Sequence, residues 1–279
     1  MTAYLAVFVA GYAGICYFLA RSYLMPGRHI PVMGKGLSEV GIPWPGHKED
    51  PAWCTPGLTN GHASKVVFVF AHGYGGDRGS WSEVMPALLK HGIDSVAPAM
   101  PGQDASPQPE VGFGIKEAAT LNRTAAWVRG QNPEAKIIYA GVSMGGAAAW
   151  LASANDPGAA GVVTEGAYAR FDETITTWFE RKATGASVYL RPVVWIASAM
   201  AGLRPSEVVP MNAASKWKGK PSLVIQGGDD QLIARSHADR LVEASGGKLW
   251  VVDGAPHAGC FETRREEYIS RLVEFASAL

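Results

Sequence analysis

The chain has 279 residues, of which 47% are hydrophobic and 18% are charged. This length suits one large α/β domain, or at most two small ones, with a sizeable apolar core. Lysine and arginine together number 25 and the acidic residues also number 25, so the net charge is zero. Because no basic run appears either, the composition does not favour nucleic acid or another polyanion as a partner.

The first predicted element is an apolar helix at the N-terminus. Residues 3–20 are uncharged and would extend about 27 Å as a helix, just enough to cross the core of a bilayer. A cleaved signal peptide is the alternative, but no Lys or Arg precedes the run and no A-x-A-like cleavage site follows it. We therefore predict an uncleaved transmembrane anchor over residues 1–21.

Positive charge lies only on the C-terminal side of this apolar run. Arg21, Arg28 and Lys35 follow the run, whereas no basic residue precedes it. The cytoplasmic flanks of membrane helices carry an excess of Lys and Arg. The pattern predicts a single-pass membrane protein whose large domain lies on the cytoplasmic side.

Residues 22–63 are rich in proline and glycine, which predicts a juxtamembrane segment that leads into irregular or edge-strand structure. From residue 64 to residue 279, strands and helices alternate, which predicts right-handed βαβ units and a mainly parallel sheet flanked by helices. Continuous apolar runs predict strands at 66–71, 93–97, 136–140, 161–164, 222–226 and 248–252. Helical spacing predicts helices at 81–89, 115–131, 144–155, 235–245 and 263–278.

One segment interrupts this alternation. About 57 residues separate the strands near Val163 and Val224, far more than one crossover needs. Helical patterns at 171–182 and 189–202 carry apolar and aromatic side chains. These helices either pack on the sheet or form a small lid, over about 168–215, that binds an apolar substrate group, and the sequence leaves both interpretations open.

The most informative motif is Gly141-Val142-Ser143-Met144-Gly145, which joins a predicted strand to a predicted helix. A G-x-S-x-G turn in this context exposes the serine side chain at the carboxyl edge of a sheet. The flanking glycines leave room where a Cβ would clash with the neighbouring strand and helix. The free N–H groups at the helix start suit negative charge on a carbonyl oxygen. Ser143 is therefore the candidate nucleophile.

A serine nucleophile needs a base, and the base needs an acid to orient it. Asp229 and Asp230 follow the predicted strand at 222–226, and His257 follows the strand at 248–252. Parallel strands end at the same edge of a sheet, so these loops converge on the serine. His237 is the other late histidine, but it falls inside a predicted helix, where a solvent-facing or helix-packing role fits better.

With this order of serine, aspartate and histidine, the chain from about Lys65 to its C-terminus resembles the α/β-hydrolases. It is most similar to the membrane-tethered, small-lid members described as Bem46-like. The resemblance implies that Ser143 is the nucleophile, Asp230 the acid and His257 the base. Asp230 is preferred over Asp229 because the family acid precedes two residues and then Val or Ile, as in Asp230-Gln231-Leu232-Ile233.

The stretch His72-Gly73-Tyr74-Gly75-Gly76-Asp77 matches the oxyanion loop of that family. The resemblance implies that the backbone N–H groups of Tyr74 and Met144 bind the carbonyl oxygen as it gains charge, while His72 is structural. The loop lacks the lysine and the spacing of a phosphate-binding motif. The chain departs from the family pattern at residues 99–106, which read AMPGQDAS. The Pro-Gly and the Ser of the family's Pro-Gly-His-Gly-x-Ser turn are kept, whereas the preceding Asp, the His and the second Gly, which brace the loop, are replaced.

The three cysteines do not form a disulfide framework. Cys16 lies in the N-terminal apolar run, which leaves Cys54 and Cys260 as the one possible pair, and the sequence leaves open whether they meet. No Cys/His spacing is typical of a metal site, and we expect neither a metal nor a cofactor.

Together these features predict a membrane-anchored serine hydrolase that cleaves carboxylic esters through an acyl-enzyme on Ser143. An aromatic lid and a membrane anchor favour apolar or lipid-like acyl esters as substrates. A thioesterase or an acyltransferase of the same fold is the main alternative, and a non-catalytic interaction protein is a second one. The acyl chain, the alcohol and the oligomeric state stay open.

Overall fold

A computed structural model of the chain describes residues 2–182, 185 and 187–279. Within these residues, eight strands form one sheet. The strands are β1 (Ser38–Ile42), β2 (Asp50–Cys54), β3 (Val66–Ala71), β4 (Asp94–Pro98), β5 (Lys136–Val142), β6 (Ala159–Glu165), β7 (Ser222–Gly227) and β8 (Lys248–Val252). The helices are α1 (Thr2–Leu24), α2 (Val84–Leu89), α3 (Ile115–Gln131), α4 (Met144–Ala154), α5 (Phe171–Lys182), α6 (Arg191–Ala201), α7 (Pro210–Lys216), α8 (Arg235–Ser245), α9 (Cys260–Thr263) and α10 (Arg265–Ser277).

The sheet has the strand order β1-β2-β4-β3-β5-β6-β7-β8. The six strands from β4 to β8 in this order pair in parallel, whereas β1 and β2 pair antiparallel at one edge. Helices α3, α4, α7 and α8 cover one face, and α2 and α10 cover the other. The mainly parallel sheet flanked by helices is thus confirmed, and its six parallel strands are the six that the apolar runs predict.

The differences from the predicted elements are local. Strands β1 and β2 lie in the segment 22–63, for which the sequence predicted irregular or edge-strand structure, and they do form an edge. The predicted helix at 263–278 corresponds to α10, which begins at Arg265, because Arg264 adopts φ −139° and ψ 55° and separates it from the short α9 before it. Helix α7 falls inside the predicted lid range, where the sequence predicted no helix of its own.

The N-terminal helix α1 extends to Leu24, three residues beyond the predicted anchor. Among the described residues, it is the one helix long and apolar enough to cross a membrane, judged by length and composition. Its second half packs on the predicted lid, because Cys16 and Ala20 share a buried apolar cluster with Val193 of α6. Residues 1, 183, 184 and 186 of the predicted anchor and lid ranges lie outside the described residues.

All three cysteines are buried and free. Cys54 lies on β2 in the core on one face of the sheet, and Cys260 begins α9 in the core on the other face. The possible pairing that the sequence left open is therefore absent between these described residues. Burial raises the pKa of the Cys54 thiol to about 12, so that this group stays protonated.

Candidate active site

Ser143 occupies a sharp turn between β5 and α4, with φ 56° and ψ −119°. A positive φ is uncommon for a residue other than glycine, and such strain persists only where the surroundings fix it. The surroundings here are tight: a Cβ on Gly145 would overlap the carbonyl oxygen of Ala71, and a Cβ on Gly141 would overlap the backbone of Gly145. The two flanking glycines therefore have the steric role that the sequence predicted.

The structure brings Ser143, Asp230 and His257 together at the carboxyl edge of the sheet. The Nε2 atom of His257 lies 2.9 Å from the Oγ atom of Ser143. On the other side of the ring, Nδ1 lies 2.8 Å from Oδ2 of Asp230. The Asp230 side chain is 1% exposed and that of His257 is 20% exposed. The imidazole can therefore accept the serine proton while the buried carboxylate orients it.

The Asp230 carboxylate is held by several donors. Its Oδ1 atom accepts the backbone N–H groups of Leu232 and Ile233, each at 2.8 Å, and its Oδ2 atom lies 3.2 Å from Nε2 of Gln226. Burial alone would raise the pKa of this carboxyl, but the hydrogen bond and the charge of His257 and the two N–H groups outweigh burial and lower the pKa. Asp230 is therefore ionised at neutral pH.

Asp229 occupies a different environment from its neighbour. Its side chain is exposed, and none of the described hydrogen bonds involves its carboxylate. Its backbone N–H donates to the carbonyl oxygen of Ala255 at 3.0 Å, which fixes the loop. Of the two aspartates that the sequence left as candidates, Asp230 is the one that contacts His257.

The loop at 72–77 passes next to the nucleophile, since a Cβ on Gly73 would lie 3.4 Å from Cβ of Ser143. Met144 is the first residue of α4, so its N–H has no acceptor within the helix. The N–H of Tyr74 has no acceptor among the described hydrogen bonds. The two predicted oxyanion donors are thus unpaired groups on two segments that meet at Ser143.

The divergent stretch 99–106 braces this loop. The backbone N–H of Gly75 donates to the side-chain oxygen of Gln103. Arg78 donates to Oδ2 of Asp104 from its backbone N at 3.0 Å and from Nε at 2.8 Å, and both side chains are buried. Gln103 and Asp104, which stand at the His and second Gly positions of the Pro-Gly-His-Gly-x-Ser pattern, are therefore the residues that hold the loop here.

His72 is a structural residue, as the sequence predicted. Its Nε2 atom accepts the backbone N–H of Met100 at 3.2 Å, and its Nδ1 atom lies 2.9 Å from the carbonyl oxygen of Gly73. Burial lowers the pKa of the ring, so that neutral His72 donates from Nδ1 and accepts at Nε2. The ring thus joins the loop at 72–77 to the segment that follows β4, the neighbouring strand in the sheet.

An apolar cavity of about 870 Å³, its open mouth included, begins at Ser143. Its walls come from α5 and α6, which lie in the predicted lid range, from α1 and from the loops around Ser143. Among the lining residues are Tyr23, Tyr74, Phe113, Phe171, Ile175, Trp178, Val193, Ala197 and Ile233. Walls that are mainly apolar, with few polar groups, are typical of a site for an apolar ligand.

Comparisons with known proteins identify the fold. A profile of the family described as alpha/beta hydrolase fold matches residues 66–192. The structure of the Pyrococcus furiosus esterase Pf2001 superposes with a TM-score of 0.74 and 22% identity, over 92% of this chain and 98% of that chain. The chain has the α/β-hydrolase fold.

Two further structures superpose with lower TM-scores. GrgF from Penicillium gives a TM-score of 0.65 at 14% identity, over 87% of this chain and 98% of that chain. A structure described with the metagenome-derived lipolytic enzymes LipS and LipT gives a TM-score of 0.56 at 17% identity, over 78% of this chain and 95% of that chain. No curated protein sequence matches the chain significantly.

Two residues of β6 and its loop support this α/β-hydrolase site, and sequence reasoning missed both. Gly166 has φ 55°, and a Cβ there would lie 3.2 Å from Nδ1 of His257 and 3.3 Å from Oδ2 of Asp230. Glu165 is buried, and its Oε1 atom accepts the N–H of Cys260 at 2.9 Å. The available signal was their position directly after a strand whose carboxyl end faces the nucleophile.

A third missed residue, Glu117, shapes the cavity. Its two carboxyl oxygens accept the N–H groups of Gly112 and Gly114 at 2.8 and 2.7 Å. These bonds hold Phe113, which has φ 47°, with its ring stacked on Phe171 at 4.6 Å between centroids. Burial raises the pKa of Glu117, although the N–H groups partly offset this effect.

His237 is buried rather than solvent-facing, and its Nδ1 atom accepts the N–H of Ala169 at 3.1 Å, which corresponds to the helix-packing alternative. Burial, followed by the charge of Arg240, lowers the pKa of His237. Among the described residues, no group of three or more His, Cys, Asp or Glu side chains is placed to hold a metal ion.

Proposed function

We propose that the protein is a serine hydrolase that cleaves carboxylic esters with apolar acyl groups. One observation carries this proposal: the chain of contacts from Ser143 through His257 to buried Asp230 opens directly into an apolar cavity. The fold agrees with it, since an esterase and lipolytic enzymes are among the similar structures. An aligned nucleophile, base and acid can react only if the acyl carbon of a substrate reaches the nucleophile, and the cavity leads to Ser143.

The proposed reaction has two halves. In the first, Oγ of Ser143 attacks the ester carbonyl while Nε2 of His257 takes the serine proton. The N–H groups of Tyr74 and Met144 then stabilise the oxyanion, a contribution of roughly 3 kcal/mol for each donor. His257 passes the proton to the leaving alcohol, which leaves an acyl-enzyme.

In the second half, His257 takes a proton from water, and the resulting hydroxide attacks the acyl carbon. The collapse of the tetrahedral intermediate returns the proton to Oγ of Ser143 and releases the carboxylic acid. Asp230 keeps its charge throughout and stabilises the imidazolium form of His257. A thioesterase would differ only in its leaving group, and an acyltransferase only in the acceptor that replaces water.

We propose further that α1 attaches the protein to a membrane and is retained in the mature chain, with the catalytic domain on the cytoplasmic side. The length and composition of α1 support attachment, and Arg21, Arg28 and Lys35 after it support the orientation. Burial of Ala20 and Leu24 against the rest of the protein supports retention. The resemblance to membrane-tethered, Bem46-like members belongs to the same proposal.

Labelling with a fluorophosphonate probe tests the catalytic part. The wild type should be labelled, Ser143→Ala should not, and Ser215→Ala, which changes an exposed serine on α7, should label like the wild type. A folded wild type that fails to react with the probe would contradict the enzyme proposal and favour a non-catalytic role. Three assays then separate an esterase, a thioesterase and an acyltransferase. They measure hydrolysis of p-nitrophenyl esters, hydrolysis of the matching thioesters, and acyl transfer from the esters to an added alcohol.

A further inference from the structure

The last turns of α1 belong to the catalytic domain. Tyr23 lines the cavity that begins at Ser143. The backbone carbonyl of Tyr23 accepts the hydroxyl of Tyr74 at 3.0 Å, and that of Leu24 accepts the N–H of Val111 at 2.9 Å. The Leu24 side chain is fully buried. A segment that acted only as a tether would not need to make any of these contacts.

The same turns of α1 also contact the lid helices. Cys16 and Ala20 are buried against Val193 of α6 in one apolar cluster. The ring of Tyr23 meets the ring of Trp178 on α5 edge-on, with centroids 4.8 Å apart and an interplanar angle of 72°. Helix α1 therefore packs beside α5 and α6 and forms part of the cavity wall.

On the same turns of α1, the face that points away from α6 is apolar and exposed. Phe18 is 70% exposed and Ile15 is 61% exposed, although Cys16 between them is buried against the lid. The apolar side chains continue toward the N-terminus, where Tyr4 is 84% and Phe8 is 73% exposed. An uninterrupted apolar helix face of this length matches the hydrocarbon of a bilayer, so lipid is the partner that would cover it.

This arrangement brings the cavity close to the lipid. Phe18 and Tyr23 are five residues apart on one helix, which corresponds to about 7.5 Å along the axis. Lipid in contact with Phe18 on the outer face of α1 therefore lies within about one and a half helical turns of Tyr23, which lines the cavity. An acyl chain in that leaflet has only the thickness of α1 between it and the space in front of Ser143.

We propose that α1 is a specificity-determining wall of the acyl site, through which the enzyme takes long-chain acyl esters directly from the bilayer that covers the outer face of α1. The proposal rests on the ester-hydrolase function proposed above. The acyl chain lies between Tyr23, Trp178 and Val193, and its carbonyl carbon reaches Ser143. Short, water-soluble esters reach Ser143 without using this wall, so chain-length preference depends on α1.

The test measures chain-length preference with the full chain bound to phosphatidylcholine vesicles. The substrates are p-nitrophenyl palmitate in the vesicles and p-nitrophenyl acetate in the water phase. Tyr23→Ala should lower the palmitate-to-acetate ratio of kcat/KM by at least about tenfold, the scale on which an apolar pocket senses a change in fit. Tyr17→Ala is the matched control, because Tyr17 lies on the same helix and does not line the cavity.

A second variant tests the lipid contact. Phe18→Asp should reduce co-sedimentation with the vesicles and lower the same ratio, since a charge on the outer face of α1 opposes its insertion. The proposal is overturned if Tyr23→Ala and Tyr17→Ala change the ratio equally, or if Phe18→Asp loses vesicle binding while the ratio stays at the wild-type value. These outcomes are distinct from a failure of the ester-hydrolase function, in which the wild type would hydrolyse neither ester and would not react with a fluorophosphonate.

Discussion

The hydroxyl of Tyr74 donates a hydrogen bond to the backbone carbonyl of Tyr23. Tyr74 supplies one of the proposed oxyanion N–H groups, whereas Tyr23 lies in the last turns of α1, so this bond joins the oxyanion loop to the N-terminal helix. Burial raises the pKa of Tyr74 to about 12, which keeps the hydroxyl protonated and able to donate at neutral pH. The position of α1 is thereby linked to the geometry around Ser143.

Removal of this link is the first prediction. Tyr74→Phe keeps the backbone N–H and the aromatic ring but loses the donor to Tyr23. We expect a loss of about 1 kcal/mol of stability, the usual net value of one hydrogen bond, and a several-fold decrease in kcat as the loop moves. Thermal melts and turnover of a short ester measure the two effects. Wild-type values of both would show that the bond has no role in positioning the loop.

The second prediction separates the two neighbouring aspartates. Asp230→Asn should leave the protein folded but lower turnover by about 10⁴-fold, as in the best-studied triad of this kind, because His257 loses the carboxylate that orients it. Asp229→Asn should cost far less, since its exposed side chain contacts neither His257 nor Ser143. Matching thermal melts establish equal folding. If Asp229→Asn were the inactive variant, the assignment would be displaced by one residue.

The third prediction concerns stability in acid. The pKa of Asp230 is lower in the folded chain than its ordinary value of about 4, so its carboxylate stabilises the fold fully above that value. This contribution is lost as the pH falls from the ordinary value through the lower, folded one. The melting temperature of Asp230→Asn should therefore depend less on pH below about 4 than that of the wild type. Parallel curves for the two proteins would contradict the lowered pKa.

Much of the fold was accessible from sequence because its signals are local. The six parallel strands are short apolar runs between turns, and such runs can be recognised without knowing which strands they pair with. One further rule, that parallel strands end at the same edge of a sheet, brought the loops of Ser143, of Asp229 and Asp230, and of His257 together. The choice of Asp230 over Asp229 came from the resemblance to the α/β-hydrolases. The structure brings these three side chains within hydrogen-bond distance.

The features that sequence did not reveal depend on contacts between distant segments. From the sequence alone, Gly166 is an ordinary turn glycine. Its role depends on the pairing of β6 between β5 and β7, which places Gly166 next to the Asp230 and His257 side chains. The apolar run of α1 is equally compatible with a free anchor and with a cavity wall, because hydropathy does not report which face of a helix is covered. Tyr23 could be recognised only from the packed structure.

The last prediction concerns Glu165, whose side chain does not line the cavity. Its backbone carbonyl accepts the N–H of Ser143 at 2.8 Å, and its side chain acts as a positioning group. Its Oε1 atom accepts the N–H of Cys260, three residues after His257, and so fixes the loop that carries the histidine. Burial raises the pKa of Glu165, while the hydrogen bonds from Cys260 and Tyr268 oppose that shift. What the loop needs from this side chain is an acceptor oxygen rather than a full charge.

Two substitutions separate these properties. Glu165→Leu removes the acceptor and leaves a buried N–H unpaired, which should cost about 1–3 kcal/mol of stability and lower kcat at least tenfold with little change in KM. Glu165→Gln keeps an acceptor oxygen of the same reach and should restore most of kcat, and the pH profile of kcat should keep its wild-type shape. Equal damage from both variants would mean that the charge of Glu165 acts on His257, and the pH profile of Glu165→Gln would then be displaced from that of the wild type.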